Sequence, residues 1–162
     1  MEIHRDRMAG KLYISQKKYL EKVIDRFNMG DCKSLSIPLA AHFKLSSNSS
    51  PTIEEEIEKT HVLYSSVVGS LMYAIAYTRP NLSHVISVVS RFMHNPCEDH
   101  WDVVKWILHY VKGSFDKCLV FNISKSITFD VIGYVDSDYG GDLDQRRSIS
   151  DYIFTLCMGI IS

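Results

Sequence analysis

The chain has 162 residues, 46% hydrophobic and 23% charged, with a formal net charge of −1. That suits one globular domain or two small pieces with a real core, and it excludes a disordered chain. No apolar run approaches the roughly 20 residues of a membrane span, and the opening Glu2, His4, Arg5, Asp6 and Arg7 make no signal peptide. No membrane partner is expected, and the expected compartment is intracellular, cytoplasm or nucleus. The charge is uneven. Residues 1–33 carry eight Lys or Arg against five Asp or Glu, whereas residues 130–151 carry six Asp against two Arg. A basic end and an acidic end suit a protein that grips a polyanion in one place and holds metal in another, and they equally suit a neutral protein with patchy sides.

In chain order, residues 11–14 follow Gly10 and read as a short strand after a turn. Ser15 is placed to cap a helix. Tyr19, Leu20, Val23, Ile24 and Phe27 then recur at helical spacing, with Lys17, Lys18, Lys22 and Arg26 off that stripe. The four cations form either a solvated outer face or a row of phosphate contacts. Residues 34–60 are Ser-rich and carry Pro38 and Pro51, which predicts a linker or wrapped loop, with Glu54, Glu55, Glu56 and Glu58 on an exposed acidic helical turn.

From Tyr64 the pattern is strongly helical. Tyr64, Val67, Val68, Leu71, Met72 and Ile75 make one apolar stripe, and Gly69 and Ser70 allow close approach. A second helix starts at Pro80 and presents Leu82, Val85, Ile86, Val89, Phe92 and Met93. A third follows Pro96, carries Trp101, Val104, Lys105, Leu108 and Val111, and stops at Gly113. The period then changes: residues 118–123, 127–135 and 152–157 read as strands. In the second of these, Ile127, Phe129, Val131 and Val135 share one face, and Thr128, Asp130, Ile132, Tyr134 and Asp136 the other.

Cys32, Cys97, Cys118 and Cys157 form no CxxC pair and read as reduced thiols. His94-x-x-Cys97-x-x-His100 has ligand-like spacing but lacks a fourth ligand, which favours capping and packing over zinc. Between the last two strands, Asp136, Asp138, Asp142 and Asp144 fall within nine positions around Gly140–Gly141, closed by Arg146 and Arg147. Carboxylates this close repel unless a cation, an arginine or water screens them. A twelve-residue calcium loop started at Asp136 would put Arg147 where a bidentate acid is needed, between strands rather than helices. The run is therefore either a solvated acidic turn or part of a divalent-metal site; a two-metal nuclease site places one acid on a strand, a role Asp136 suits, with the rest of the ligand set required from elsewhere in the chain.

These segments resemble, in order and over nearly the whole chain, the polymerase polyprotein of copia-type LTR retrotransposons. The matching runs are MEIHRDRMAGKLYISQKKYLEKVIDRFNM, IPLAAHFKLS, YSSVVGSLMYAIAYTRPNLSHVISVVSRFMHNP, HWDVVKWILHYVKGS and GYVDSDYGGDLDQRRSISDYIFTL. The resemblance implies that residues 1–115 correspond to the thumb and connecting region of a reverse transcriptase, and 116–162 to the start of a ribonuclease H domain. The implied fold is α+β: a helical thumb/connection-like core followed by an incomplete antiparallel ribonuclease H-like sheet with exposed edges and poor solubility. The family's catalytic Tyr-x-Asp-Asp type motif is absent here. Asp136 matches the first metal-binding aspartate of the ribonuclease H domain, a Mg2+ site in the intact parent. For this chain itself the expectation is no complete catalytic site and no cofactor. Its expected partner is an RNA–DNA or DNA duplex held in the parent, with Lys17, Lys18, Lys22 and Arg26 as contacts, and no small-molecule substrate. A non-catalytic piece of a polyprotein, cut at both ends, is the expected identity; the alternative is a host protein that reuses the helical core as an interaction module. Two departures stand out. Asp151 occupies a place where the family usually has glycine, which would strain a turn of positive φ, and Tyr139-Gly140-Gly141-Asp142 replaces the usual Tyr-Ala-Gly-Asp.

Overall fold

A computed structural model describes residues 1–40, 43, 45–46, 54–122, 130–139, 144, 146–156 and 159–161. Among them are four α-helices and two three-stranded antiparallel sheets. The mixture of helices and antiparallel strands follows the α+β patterning of the sequence.

The N-terminus is a hairpin of β1 (Glu2–Asp6) and β2 (Lys11–Ser15), in register from Glu2↔Ser15 to Asp6↔Lys11. Its turn is fixed locally. Asp6 Oδ1 accepts the Ala9 N–H at 2.9 Å, and Gly10 takes φ 62°, a conformation free of cost only for glycine. β3 (Leu119–Asn122) returns more than a hundred residues later to pair with β2, making the order β1-β2-β3. One of these strands was not anticipated and the other corrects an expectation. Residues 2–6 form a strand that the polar sequence does not advertise, and 119–122 join the N-terminal hairpin rather than the terminal strand group.

α1 (Lys17–Arg26) buries Leu20, Val23 and Ile24. Ser15 Oγ accepts the Lys17 N–H at 3.2 Å, and Asn28 at φ 54° ends the helix, with the Met29 N–H bonded back to Ile24. Residues 30–37 then strap across α4 (Glu98–Lys112). The Leu35 N–H donates to the His109 carbonyl, Trp106 Nε1 donates to the Ile37 carbonyl at 2.9 Å, and Lys112 donates to the carbonyls of Gly30 and Cys32. Of the linker or wrapped loop expected over 34–60, residues 34–37 belong to this strap, residues 41–42, 44 and 47–53 lie outside the described residues, and 54–60 are helical. The strap comes so close that a Cβ on Gly113 would lie 2.8 Å from the Leu35 carbonyl oxygen.

α2 (Glu54–Tyr77) is the longest element at 24 residues, about 36 Å. It reaches back through the predicted acidic turn; the side chains of Glu54, Glu55, Glu56 and Glu58 lie outside the described residues. Tyr64, Val67, Val68, Leu71 and Ala74 are fully buried. Met72, placed in that stripe by its sequence spacing, is instead 42% exposed. The helix predicted from Pro80 begins as a 3-10 turn (Pro80–Leu82) and continues as α3 (Ser83–Ser90). Tyr64 Oη ties α2 to α3 by donating to the Val89 carbonyl at 2.8 Å. α4 buries Val103, Val104, Ile107, Leu108 and Val111, and the four helices share one core with α1 at its flank.

The second sheet runs β4 (Val131–Asp138), β5 (Ile149–Leu156) and β6 (Gly159–Ile160). Antiparallel pairing puts Val131, Val135, Tyr152 and Phe154 on one face and Ile132, Tyr134 and Ile153 on the other. Both faces meet solvent: Val131, Ile132, Tyr134 and Tyr152 are exposed, and Val135 is 80% exposed. The predicted strand residues 127–129, the Ser-rich stretch 47–50, and Cys157 lie outside the described residues. The two sheets meet where Phe121 of β3 lies against Gly159 of β6, in the space that a Cβ at 159 would fill.

Candidate nucleic-acid interface

The four predicted cations all sit exposed on α1. They are not equivalent. Lys17 Nζ pairs with Asp116 at 2.7 Å, which raises the amine and lowers the carboxyl from their ordinary values. Both groups are exposed, so the pair adds little stability. Lys18 reaches Glu2 at 3.4 Å, a looser contact, and remains largely in solvent. Lys22 has no ion-pair partner among the described residues, and the Arg26 guanidinium lies 5.5 Å from the Phe27 ring centroid. Spacing of four residues puts Lys18, Lys22 and Arg26 in one row along the helix.

Beside this row, α2 runs antiparallel to α1. Thr78, past the end of α2, donates to Gln16, before the start of α1, at 2.5 Å; one turn on, Tyr19 Oη donates to the Ser70 carbonyl at 3.0 Å. The Tyr19 ring packs on Tyr73 and Tyr73 on Tyr77, each pair with centroids 4.8 Å apart and tilted planes. Sequence spacing placed Tyr19 in the core stripe and gave no weight to Tyr73 or Tyr77. Their i,i+4 spacing on α2 is the signal that could have linked those two.

Asp136 lies on β4, in a different layer from α1. It is exposed, and its Oδ1 accepts the Ser137 N–H at 2.8 Å. Its partner in register on β5 is Asp151. Asp151 therefore sits in an extended strand rather than in a turn, so the anticipated strain at that position has no turn to act on. Asp144 accepts a hydrogen bond from Ser46 at 2.6 Å. Gly140, Gly141 and Asp142 lie outside the described residues, as does the side chain of Asp138. Among the described residues no group of three His, Cys, Asp or Glu converges as a metal site.

The His94-Cys97-His100 spacing resolves into a cap. His100 Nδ1 accepts the Cys97 N–H at 3.0 Å, while the Cys97 side chain receives the backbone N–H of His100. His100 is fully buried and stacked on Phe92 at 3.9 Å, and burial lowers its pKa. Sequence reading also missed Arg79. It is 3% exposed, and its Nη2 donates to the Ser114 carbonyl at 2.6 Å, just past the end of α4. Burial lowers its pKa, and the negative end of the α4 dipole offsets part of the cost of burying the charge. No helix among the described residues is long and apolar enough to cross a membrane.

No protein-family model and no solved structure matches the chain. Over its whole length it is 49% identical to the retrovirus-related Pol polyprotein from transposon TNT 1-94 of Nicotiana tabacum, of which it covers 12%. It is 34% identical over 154 residues to the retrovirus-related Pol polyprotein from transposon RE2 of Arabidopsis thaliana; that alignment covers 95% of this chain and 10% of the polyprotein. A third relative, the secreted RxLR effector protein 161 of Plasmopara viticola, is 38% identical over 102 residues, which make up 63% of this chain and 70% of the effector. The chain thus spans about a tenth of the two polyproteins, and the matches cover 95% or more of its own length: it belongs to the retrovirus-related Pol polyproteins of copia-type transposons.

Proposed function

We propose that the chain is a nucleic-acid-holding segment of a transposon polyprotein and makes or breaks no bond by itself. Residues 1–115 would serve as the thumb and connecting region of the parent reverse transcriptase, steadying a primer–template duplex, and 116–162 as the start of its ribonuclease H domain. The observation that carries this reading is the exposed row Lys18–Lys22–Arg26 on a chain similar over its whole length to a Pol polyprotein. Three cations in a row are suited to phosphates of a duplex backbone. β3 pairs with the N-terminal hairpin, so sheet continuity crosses the proposed boundary at 115/116. In the intact parent, Asp136 would be one ligand of Mg2+, which supplies water activation and charge neutralisation when bound; in this chain no step runs through it. An intracellular location, cytoplasm or nucleus, follows from the same reading.

Binding to a labelled RNA–DNA primer–template at 50–200 mM salt tests this. Affinity falling with salt, with a shallower slope for Lys22→Ala, supports it; no binding at low salt refutes it. Incubation with magnesium and an RNA–DNA hybrid tests the non-catalytic part. Intact hybrid is expected, and cleavage abolished by Asp136→Asn would overturn it.

A second reading, the helical core reused as a protein-interaction module, is favoured by one observation: 102 residues of this chain align with 70% of the length of a relative named as a secreted effector. A stable protein partner together with no polyanion affinity would select it.

A further inference from the structure

The row of cations on α1 has two unlike sides. Around the helix axis, at 100° per residue, Asp25 and Glu21 follow Lys18 on one side, while Tyr19 follows Arg26 on the other. The acids therefore flank the row away from α2, and the side facing α2 is aromatic. There Tyr73, level with Tyr19, and Tyr77, one turn further toward the start of α1, are each 45% exposed and continue the surface past the Lys18 end of the cationic row, because the helices are antiparallel. Tyr19 bolts the two helices together through its bond to Ser70 and its packing on Tyr73. Gly69, on the neighbouring turn of α2, is exposed and leaves open space where a Cβ would stand.

Exposed tyrosines beside solvent-exposed cations match the chemistry of single-strand binding, in which charges track the phosphates and rings take the bases. A duplex hides its base faces and gains nothing from the rings. The cationic row is about 12 Å long, the span of three to four phosphates of a stacked strand. We propose that the α1–α2 surface binds an unpaired nucleic-acid strand, its phosphates along Lys18, Lys22 and Arg26 and, past the Lys18 end of that row, its bases stacked on Tyr73 and Tyr77. The proposal rests on the nucleic-acid reading above and adds the strand state and the stacking residues.

The test is fluorescence anisotropy of the full chain with labelled oligo(dT) of 20 nucleotides and with a 20-base-pair DNA duplex. Combined Tyr73→Ala and Tyr77→Ala is expected to weaken oligo(dT) binding tenfold or more, leave duplex affinity within twofold, and leave the salt slope unchanged. Stacking of this kind is on the order of 5- to 150-fold per base. Combined Tyr73→Phe and Tyr77→Phe, which keeps the rings and the fold, is expected to retain oligo(dT) binding within threefold. Lys22→Ala should reduce the oligo(dT) salt slope by about 0.7. Oligo(dT) affinity indifferent to loss of both rings, with a slope still dependent on Lys22, overturns the stacking surface and leaves the duplex reading standing. Absence of binding to either probe removes both.

Discussion

The helical core and the C-terminal sheet use similar apolar residues to opposite ends. In the helices, Val67, Val68, Leu71, Val103, Val104 and Ile107 are all removed from solvent, each contributing on the order of 1.5–3 kcal/mol by burial. In the sheet, Val131, Ile132, Tyr134 and Val135 recur along one strand and stay in water on both faces. A strand rich in β-branched and aromatic residues fits a pleated surface that something covers. The helices therefore hold their own stability, whereas β4 has backbone pairing with β5 and little else. Adjacent exposed apolar side chains on an edge strand also invite pairing with other chains.

The sharpest way to break this contrast is to cut the core. Ile107→Ala is expected to cost about 2–5 kcal/mol in urea unfolding; a loss below 1 kcal/mol would mean that α4 does not anchor the fold. Arg79→Ala removes the donor to Ser114 and opens a gap, with an expected loss of about 1–3 kcal/mol in the same assay. A neutral result would show that the guanidinium is not needed to close α4.

The core should also carry a pH signature that the sheet lacks. Burial depresses the His100 pKa below its ordinary 6.5, opposed by the backbone of Ser46 and by Asp99 and Asp144. The unfolded chain then takes up a proton that the folded one resists. The stabilising difference is complete above pH 6.5 and is lost as pH falls from 6.5 toward the folded value, at no more than about 1.4 kcal/mol per pH unit. Thermal melts from pH 7.5 downward should drop faster for the parent than for His100→Gln; equal slopes would remove His100 as the cause. The smallest effect belongs to the sheet: Val135→Thr should change stability by less than about 0.5 kcal/mol while reducing aggregation seen by light scattering. A larger loss would reveal that the residue is covered after all.

The helices were legible because burial follows a local period. Tyr64, Val67, Val68 and Leu71 recur every three or four residues, and all are inside. Met72 broke the pattern because it lies a step beyond the buried arc, where spacing alone cannot place the edge. β1 was not legible, since Glu2, His4, Arg5 and Asp6 carry no alternation; its pairing is set by the Asp6–Gly10 turn. The partner of β3 was not legible either, because a pairing between Leu119 and Ile14 leaves no mark within either segment. For the candidate interface, sequence spacing gave the cations of α1. The tyrosines became apparent only once α2 was laid antiparallel beside them.

The seat of Phe121 on Gly159 carries a consequence for how this family can vary. The two positions lie far apart in sequence and share one volume. An alanine at 159 would demand a smaller side chain at 121, and a tryptophan at 121 would demand that 159 stay bare. Across related polyproteins these two sites are therefore expected to drift as a pair, a covariation that an alignment of copia-type sequences can detect without any purified protein.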